Sequence, residues 1–446
     1  MSRRKRILFA ISDTGGGHRS GAQALHAALL QHPQGRDIDY DTIDLITATG
    51  LPLLRNAPEL YNHLSTRWLP LFNLFFQLTN GRRRVDTIAQ IAYLTAQRNI
   101  KRTLDEFKPD VVVSVHPIAN RFIGHARTTY NMPFRFMTVV TDLVSLHTSW
   151  GDPDADVCIA PTHEGAQVLI DQGMPIDKVV YAGFPVHPKF TACTFTTDMA
   201  RRVLHVDCER FTVLLTAGGV GSGRLRELVV SLHQAYPAMQ LLVVTGRNAA
   251  LRNELQRLNL PEHVHIYGFV DNMEQLMAAS DVVVTKAGPG TLMEALVMRR
   301  PVVITEAVGL QERGNITFVL DRGLGAHSRH IRDIVQSVGD LMDPDRHAAT
   351  VARLQDAVPR DGAHRIANLI IDQLHATPPT MPRHRRSSAL MELPRWMRQR
   401  DNVDDNRRRL RLFSVSIIEH LRQQSHHPFQ WRYRIRRKNR KSNSNS

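Results

Sequence analysis

Thr285-Lys286-Ala287-Gly288-Pro289-Gly290-Thr291-Leu292-Met293-Glu294 is the stretch of this chain that decides its fold. It follows the apolar run 281–284 and leads into a helical pattern through Ala295, Leu296 and Met298, so the order is strand, glycine-rich turn, helix. At such a turn, free backbone N–H groups and the positive end of a helix dipole point at one place. That arrangement favours an anion, most often a phosphate.

The residues inside the turn suit a nucleotide diphosphate. Gly288 and Gly290 remove side chains where the diphosphate would approach, and Pro289 stiffens the turn between them. Glu294 lies about one helical turn beyond Gly290, within reach of ribose hydroxyls. We interpret the stretch as the binding site for the diphosphate and ribose of a nucleotide-sugar. The alternative is a tight strand-to-helix turn whose glycines serve packing only.

Apolar strands alternate with helical stretches on both sides of this turn, which is the signature of an α/β fold. The alternation runs from residue 6 to about 190 and begins again near Cys193. Strands separated by helices favour parallel, doubly wound sheets. We therefore expect two Rossmann-like domains facing across a cleft, at 1–190 and 191–375, followed by a basic, partly disordered tail at 376–446.

A second glycine-rich turn, 217–223, follows the strand-like run 211–216 and invites an NAD-site interpretation. It lacks the GxGxxG spacing, and no acidic ribose partner is evident at the end of the next strand. We therefore reject an NAD site.

Polar residues end three predicted strands of the first domain. His18 follows the first strand and the glycines 15–17, His116 follows the run 111–115, and Asp142 follows the run 136–140. Ligands of open α/β sheets gather at the carboxyl ends of the strands. These three side chains should therefore face the cleft.

The segment 51–84 is rich in apolar and aromatic residues and ends in three arginines. Its densest part, 68–78, is too short to span a bilayer, which needs about 20 apolar residues. Aromatic side chains beside arginines suit a membrane interface with anionic headgroups, although a helix pair buried in the first domain is the alternative. The membrane-contact candidates are Trp68, Phe72, Phe75, Arg82 and Arg83.

The net charge of +15 lies mostly in the tail. Residues 376–446 contain 18 Lys and Arg against 5 Asp and Glu, so 13 of the 15 net positive charges belong there. Such a tail attracts anionic lipid or nucleic acid, but no nucleic-acid-binding motif accompanies the arginines.

The three cysteines form no CxxC pair, which favours a reduced compartment. The N-terminal apolar run stops at Ser12, which is too early for a signal peptide. We predict that this run forms the first strand.

Several blocks, in the right order, resemble the monogalactosyldiacylglycerol synthase family, whose relatives include processive diacylglycerol glucosyltransferases. They cover roughly 6–375 and leave the tail uncovered. The blocks are 12–19, 114–117, 140–143 with His147 and Trp150, 183–188, 245–248, 285–291 with Glu294, and 311–315.

The resemblance implies a GT-B fold and transfer of a hexose from a UDP-sugar to diacylglycerol, with inversion at the anomeric carbon. Galactose is expected, with glucose as the alternative donor sugar, and the enzyme is expected as a peripheral protein on the cytoplasmic face of an anionic membrane. The first domain would bind the acceptor through Gly17, His116 and Trp150, and the second would bind the donor. The donor residues implied are Gly218, Gly219, Phe269, Val270, Gly288, Pro289, Gly290, Thr291, Glu294, Gln311, Glu312 and Asn315. The glutamate that the family carries in the 217–223 loop is absent, since Val220 and Ser222 occupy the region.

A diacylglycerol hydroxyl must lose its proton as it attacks, and a histidine is the natural base near neutral pH. We expect His18 to be this base or to position the acceptor, with His116 and Asp142 as alternatives; Asp142 would orient a histidine or serve as the base. The turn 288–291 can stabilise departing UDP without a cation, and no DxD-like carboxylate pair occurs, so no metal or other cofactor is expected to be required. A peptidoglycan-type N-acetylglucosaminyltransferase is the rival enzyme.

Overall fold

A computed structural model describes residues 3–12, 16–49, 73, 74, 77, 79–216 and 224–377 of the chain. The tail from residue 378 and most of the aromatic segment lie outside these ranges. Within them, two six-stranded sheets form two lobes that belong to one compact unit.

The first lobe is built on a parallel sheet whose strand order is β2-β1-β3-β4-β5-β6. Its inner strands are runs of Ile, Val and Phe buried on both faces, as expected for a sheet covered by helices on each side. The edge strand β2 alternates apolar with acidic residues instead. The strands are β1 Lys5–Ile11, β2 Ile38–Asp44, β3 Val111–Ser114, β4 Arg135–Val139, β5 Val157–Ala160 and β6 Val179–Tyr181.

The second lobe repeats this plan with the strand order β12-β11-β10-β7-β8-β9, again fully parallel. The two doubly wound sheets confirm the predicted α/β architecture. The strands are β7 Thr212–Thr216, β8 Gln240–Val244, β9 Val264–Tyr267, β10 Val282–Thr285, β11 Val302–Ile304 and β12 Gly325–His327.

Helices connect the strands and cover the sheets. In the first lobe they are α1 Gly16–Gln31, α2 Leu45–Ala48, α3 Arg82–Phe107, α4 Pro117–Tyr130 and α5 His163–Asp171. From the interlobe connection onward they are α6 Pro188–Thr191, α7 Thr197–Val203, α8 Leu225–Ala235, α9 Ala249–Gln256, α10 Met273–Ala279, α11 Pro289–Val297, α12 Arg313–Asp321, α13 Ile331–Asp340, α14 Pro344–Leu354 and α15 Gly362–His375.

The last helix, α15, belongs to the core of the first lobe although it follows the second lobe in sequence. Ile366 and Ile370 are fully buried and pack in one cluster with Ile7, Phe9 and Leu25. The chain thus crosses between the lobes twice. The predicted sequence intervals stay a prediction, but this helix, assigned to the interval 191–375, completes the core of the other lobe.

The two crossings touch at a pair of glycines. Gly183 has φ +93°, and a Cβ on Gly362 would lie 2.4 Å from the carbonyl oxygen of Phe184. Only glycine lets the two backbones approach this closely. The two stretches of chain that connect the lobes are therefore in direct backbone contact.

Among the described helices, none combines the length and the apolar character needed to cross a membrane.

Candidate active site

The turn after β10 has the geometry of an anion site. Helix α11 begins at Pro289, its N-cap is Gly288, and no side chain caps it. The first intrahelical bond runs from the Leu292 N–H to the Gly288 carbonyl at 3.2 Å. The N–H groups of Gly290 and Thr291 precede that bond, and so have no acceptor within the helix. They are oriented to bind a ligand oxygen.

This turn faces the first lobe. A Cβ built on Gly290 would lie 4.0 Å from the Ser20 hydroxyl oxygen in the first turns of α1. The N-termini of α1 and α11 therefore meet across the cleft, and their dipoles both favour negative charge there. At Gly17, a Cβ would have no neighbour within 4 Å among the described atoms, which leaves room for a substrate.

Glu294 lies one turn further along α11 and is half-buried. Burial raises the pKa of its carboxyl group to about 7, the nearby Lys189 ammonium acts in the opposite direction, and Glu274 adds to the rise. Lys189 pairs with Glu274 at 2.9 Å. The protonation of Glu294 thus changes in the neutral range.

Phe269 and Val270 follow β9 in the second lobe. The Phe269 side chain is 66% exposed, and the Arg247 guanidinium lies 5.2 Å from its ring centroid. Val270 is half-buried and packs against the core of the second lobe. The predicted contact of Phe269 and Val270 with uracil stays a prediction.

Residues 308–315 comprise a loop and the first three residues of α12. We call this stretch the sugar loop, because its predicted contacts are with sugar hydroxyls, and it is braced by Glu312. One carboxylate oxygen of Glu312 accepts from the Lys286 ammonium at 3.0 Å, and the other accepts from the Val308 N–H at 2.7 Å. Glu312 is 5% exposed. Its carboxylate therefore links the loop to Lys286, which begins the turn between β10 and α11. We call this turn the anion turn.

Asn315 supports the same turn from behind. Its side-chain amide donates to the Ala287 carbonyl at 2.7 Å, and the side chain is buried. Gln311 is half-buried in the sugar loop. The predicted contacts of Gln311, Glu312 and Asn315 with sugar hydroxyls stay a prediction, and for Asn315 the structure shows a second task, which is to fix the anion turn.

His18 lies in the first turn of α1, and two groups orient its ring. Its Nδ1 lies 2.8 Å from the Val115 carbonyl oxygen and 3.1 Å from the Thr141 hydroxyl. Because a carbonyl oxygen only accepts, Nδ1 carries the proton and Nε2 carries the lone pair. Burial lowers the pKa of His18 to about 4, against a raising effect of the Val115 hydrogen bond. The imidazole is therefore neutral at pH 7, in the tautomer of a proton acceptor.

His116 and Trp150 surround His18. The ring centroids of His18 and His116 are 4.6 Å apart in an edge-to-face arrangement, and the Trp150 centroid lies 6.0 Å from that of His18. Burial lowers the pKa of His116 well below its ordinary value, and His18 adds to this effect. The Trp150 side chain is fully buried, and its predicted contact with the acceptor stays a prediction.

Trp150 holds Asp142. The indole N–H donates to a carboxylate oxygen of Asp142 at 2.7 Å. Burial raises the pKa of Asp142 to about 6, against the lowering effect of this hydrogen bond, and Glu312 across the cleft raises it further. Asp142 thus faces the sugar loop, while His18 is oriented by Val115 and Thr141.

Sequence reasoning missed four groups that shape this site. Two of them, the Val115 carbonyl and Thr141, set the tautomer of His18. The others are Ser20, which lies beside Gly290 of the second lobe, and Ser145, which accepts from the Gly314 N–H. Val115 and Thr141 stand in blocks that the sequence singles out. The roles of Ser20 and Ser145 are seen only in three dimensions.

Several predicted site residues lie outside the residues that the structure describes. They are Gly218, Gly219, Trp68, Phe72 and Phe75, together with the side chains of Arg82 and Arg83. Among the described residues, no group of three or more His, Cys, Asp or Glu side chains is placed to hold a metal ion. The expectation that no metal is required stays a prediction.

Comparison with known proteins places this geometry in a family. The model of monogalactosyldiacylglycerol (MGDG) synthase matches residues 18–186, and the model of the glycosyltransferase family 28 C-terminal domain matches residues 212–308. The chain is 30% identical over 355 residues to monogalactosyldiacylglycerol synthase 2, chloroplastic, of Arabidopsis thaliana, with 76% of this chain and 74% of the relative covered. The chain belongs to the monogalactosyldiacylglycerol synthase family. The predicted family is thereby confirmed, and with it the class of enzyme, a glycosyltransferase.

Other members of the monogalactosyldiacylglycerol synthase family match to a similar extent. A probable chloroplastic monogalactosyldiacylglycerol synthase of Glycine max is 32% identical over 349 residues, which is 76% of this chain and 66% of that relative. The chain therefore spans about two thirds to three quarters of the length of these relatives.

Solved structures confirm the GT-B fold for this member of the family. MurG of Acinetobacter baumannii superposes with a TM-score of 0.55 at 14% identity, covering 82% of this chain and 99% of that one. A UDP-GlcNAc 2-epimerase of Neisseria meningitidis, solved with UDP-GlcNAc bound, gives 0.54 at 16% identity, covering 82% and 100%. Because a transferase and an epimerase share the fold, the fold by itself does not decide the reaction.

Proposed function

We propose that this protein is an inverting glycosyltransferase that moves a hexose, galactose, from a UDP-sugar to the free hydroxyl of 1,2-diacylglycerol. The observation that carries the proposal is the uncapped N-terminus of α11, whose free N–H groups at Gly290 and Thr291 meet the start of α1 across the cleft. Family membership supplies the donor and acceptor classes, since the relatives are named for monogalactosyldiacylglycerol synthesis.

The donor would lie on the second lobe. Its diphosphate would accept hydrogen bonds from the N–H groups of Gly290 and Thr291, and Glu294 would accept from the ribose hydroxyls. Uracil would lie beside Phe269 and Val270. The sugar would lie against the sugar loop, which Glu312 and Asn315 hold in place.

The acceptor hydroxyl would approach from the first lobe. His18 would take its proton at Nε2 as the oxygen attacks the anomeric carbon from the face opposite to UDP, which gives inversion. The bond from the anomeric carbon to the UDP oxygen breaks, and the negative charge on UDP is stabilised by the peptide dipoles of α11. Asp142, held by Trp150, would lie near the sugar loop and is the alternative base.

The acceptor class requires contact with a lipid surface. We infer peripheral attachment to the cytoplasmic face of a membrane, through the segment 51–84 and the basic tail 376–446, because these stretches combine apolar or aromatic side chains with arginines.

The test is incubation of the purified protein with diacylglycerol vesicles and either UDP-galactose or UDP-glucose, followed by identification of the lipid product. We expect monogalactosyldiacylglycerol, with UDP-galactose preferred over UDP-glucose. Product from UDP-glucose alone would favour the glucosyltransferase alternative. No glycolipid from either donor, but transfer of N-acetylglucosamine to a peptidoglycan precursor, would favour the MurG-type alternative.

Binding of UDP should weaken as the pH falls below about 7. The pKa of Glu294 is raised to about 7, and protonation removes the carboxylate that accepts from ribose. If binding required the carboxylate fully, affinity would fall by up to about tenfold per pH unit below the pKa. Calorimetric titration of UDP between pH 5.5 and 8.5 measures this. In Glu294→Gln the affinity should be lower at pH 8 and depend less steeply on pH, the remaining dependence coming from the terminal phosphate of UDP, whose second pKa is about 6. An unchanged pH dependence in that variant would contradict the ribose assignment.

A further inference from the structure

Three described residues between positions 73 and 80, shortly before α3 in sequence, contact both halves of the candidate site. They are Asn73, Thr79 and Asn80, which we call the bridging residues, and they are half-buried. The side-chain oxygen of Asn73 accepts from the Leu310 N–H at 3.1 Å. Leu310 lies in the sugar loop, immediately before Gln311. A residue that belongs in sequence to the first lobe therefore holds the backbone of the second lobe at the place where the sugar is expected.

Asn80 and Thr79 contact residues of the first lobe, where the acceptor is expected. The side-chain oxygen of Asn80 accepts from both the N–H and the hydroxyl of Thr148, at 3.0 and 2.6 Å. The Thr79 hydroxyl lies 3.2 Å from His147 Nε2. Residues Thr148–Trp150 form one short 3-10 turn, so these contacts fix the turn that carries Trp150.

The sugar loop is held at two further points, which makes the contribution of Asn73 specific. Glu312 accepts from the Val308 N–H, and the Gly314 N–H donates to the Ser145 hydroxyl at 3.1 Å. Leu310 lies between these points, after Gly309, which has φ +66°. Loss of the Asn73 contact should therefore loosen the middle of the loop without unfolding its ends.

We propose that Asn73 and Asn80 are positioning residues that hold the sugar loop in register with the Asp142–Trp150 pair. Asn73 sets the loop that receives the hexose, and Asn80 sets the turn from which Trp150 donates to Asp142. Both act through another group and neither is placed at the reacting atoms. The proposal rests on the proposed function, because it assumes that a hexose lies between the sugar loop and Asp142.

The two residues should have separable effects. Gly290 and Glu294, which would bind UDP, lie on α11 rather than on the sugar loop, so changes at Asn73 should spare UDP itself. Asn73→Ala should bind UDP within about twofold of the wild type but bind UDP-galactose about tenfold more weakly, which is the effect of one lost backbone hydrogen bond at a partly buried amide. Asn80→Ala should bind both ligands normally and show a lower kcat.

The experiment measures the dissociation constants of UDP and UDP-galactose by calorimetry, and kcat on diacylglycerol vesicles, for the full-length chain. Asn73→Asp retains an oxygen that accepts from Leu310 and should restore UDP-galactose binding, which a merely structural role for the side chain would not predict. Asn253→Ala is the matched control, because Asn253 is exposed on α9 and has no place in the site.

Two results would overturn the bridging role. One is an unchanged affinity for both UDP and UDP-galactose in Asn73→Ala. The other is an equal loss of both affinities, together with a lower melting temperature, in that variant. Failure of the proposed function would look different, because the wild-type chain would then form no glycolipid on diacylglycerol vesicles from UDP-galactose.

Discussion

His18→Ala should lose transfer activity by about 10²–10⁴-fold, the usual contribution of a general base, while its affinity for UDP stays unchanged. The His18 ring is neutral at pH 7, because burial lowers its pKa to about 4, and the Val115 carbonyl fixes the proton on Nδ1. Nε2 then carries the lone pair that can accept the proton of the acceptor hydroxyl. Alanine leaves no acceptor at this position.

The fold should tolerate the change. The imidazole side chain is half-buried, and its removal costs one hydrogen bond to Val115, roughly 1 kcal/mol of unfolding free energy. Initial rates on diacylglycerol vesicles, with UDP titration as the measure of an intact donor site, separate catalysis from folding. His375→Ala, at an exposed histidine at the end of α15, is the matched control. A rate within about tenfold of the wild type in His18→Ala would transfer the base role to Asp142 or His116.

Much of the fold is predictable from local patterns. The run at β10 is apolar and β-branched, and the glycine turn after it marks the strand end and the helix start. Parallel sheets follow because strands alternate with helices throughout. The return of α15 to the first lobe could not be predicted, because its apolar stripe fits either sheet equally well.

The site is only partly predictable, for a physical reason. Motifs show which residues end strands, and they place His18, Asp142 and Glu294 at the cleft. They do not show which neighbours orient them. The tautomer of His18 depends on Val115 and Thr141, which are 97 and 123 residues away in sequence.

The role of Trp150 is a second example. The sequence places it in a block of the family, but only the structure shows that its ring is fully buried and that it donates to Asp142. Exposure is a property of the folded chain, and a single tryptophan in a sequence carries no signal for it.

Gly290→Ala should weaken UDP binding by about ten- to a hundredfold without harming the fold. A Cβ at this position would meet only the Ser20 hydroxyl oxygen, at an ordinary contact distance of 4.0 Å. Within a helix, alanine in place of glycine stabilises by roughly 0.5–1 kcal/mol, so the melting temperature should stay the same or rise. The methyl group would occupy the space from which a diphosphate reaches the free N–H groups of the turn. Loss of one charge-assisted hydrogen bond there, about 1.5–3 kcal/mol, accounts for the expected range.

Calorimetric titration of UDP into the wild-type chain and into Gly290→Ala therefore tests most directly whether peptide dipoles at the start of α11 hold the diphosphate. We predict saturable binding to the wild type and at least tenfold weaker binding to a variant that melts at the same or a higher temperature. Equal affinity in the two proteins would contradict the assignment, since the diphosphate would then lie elsewhere.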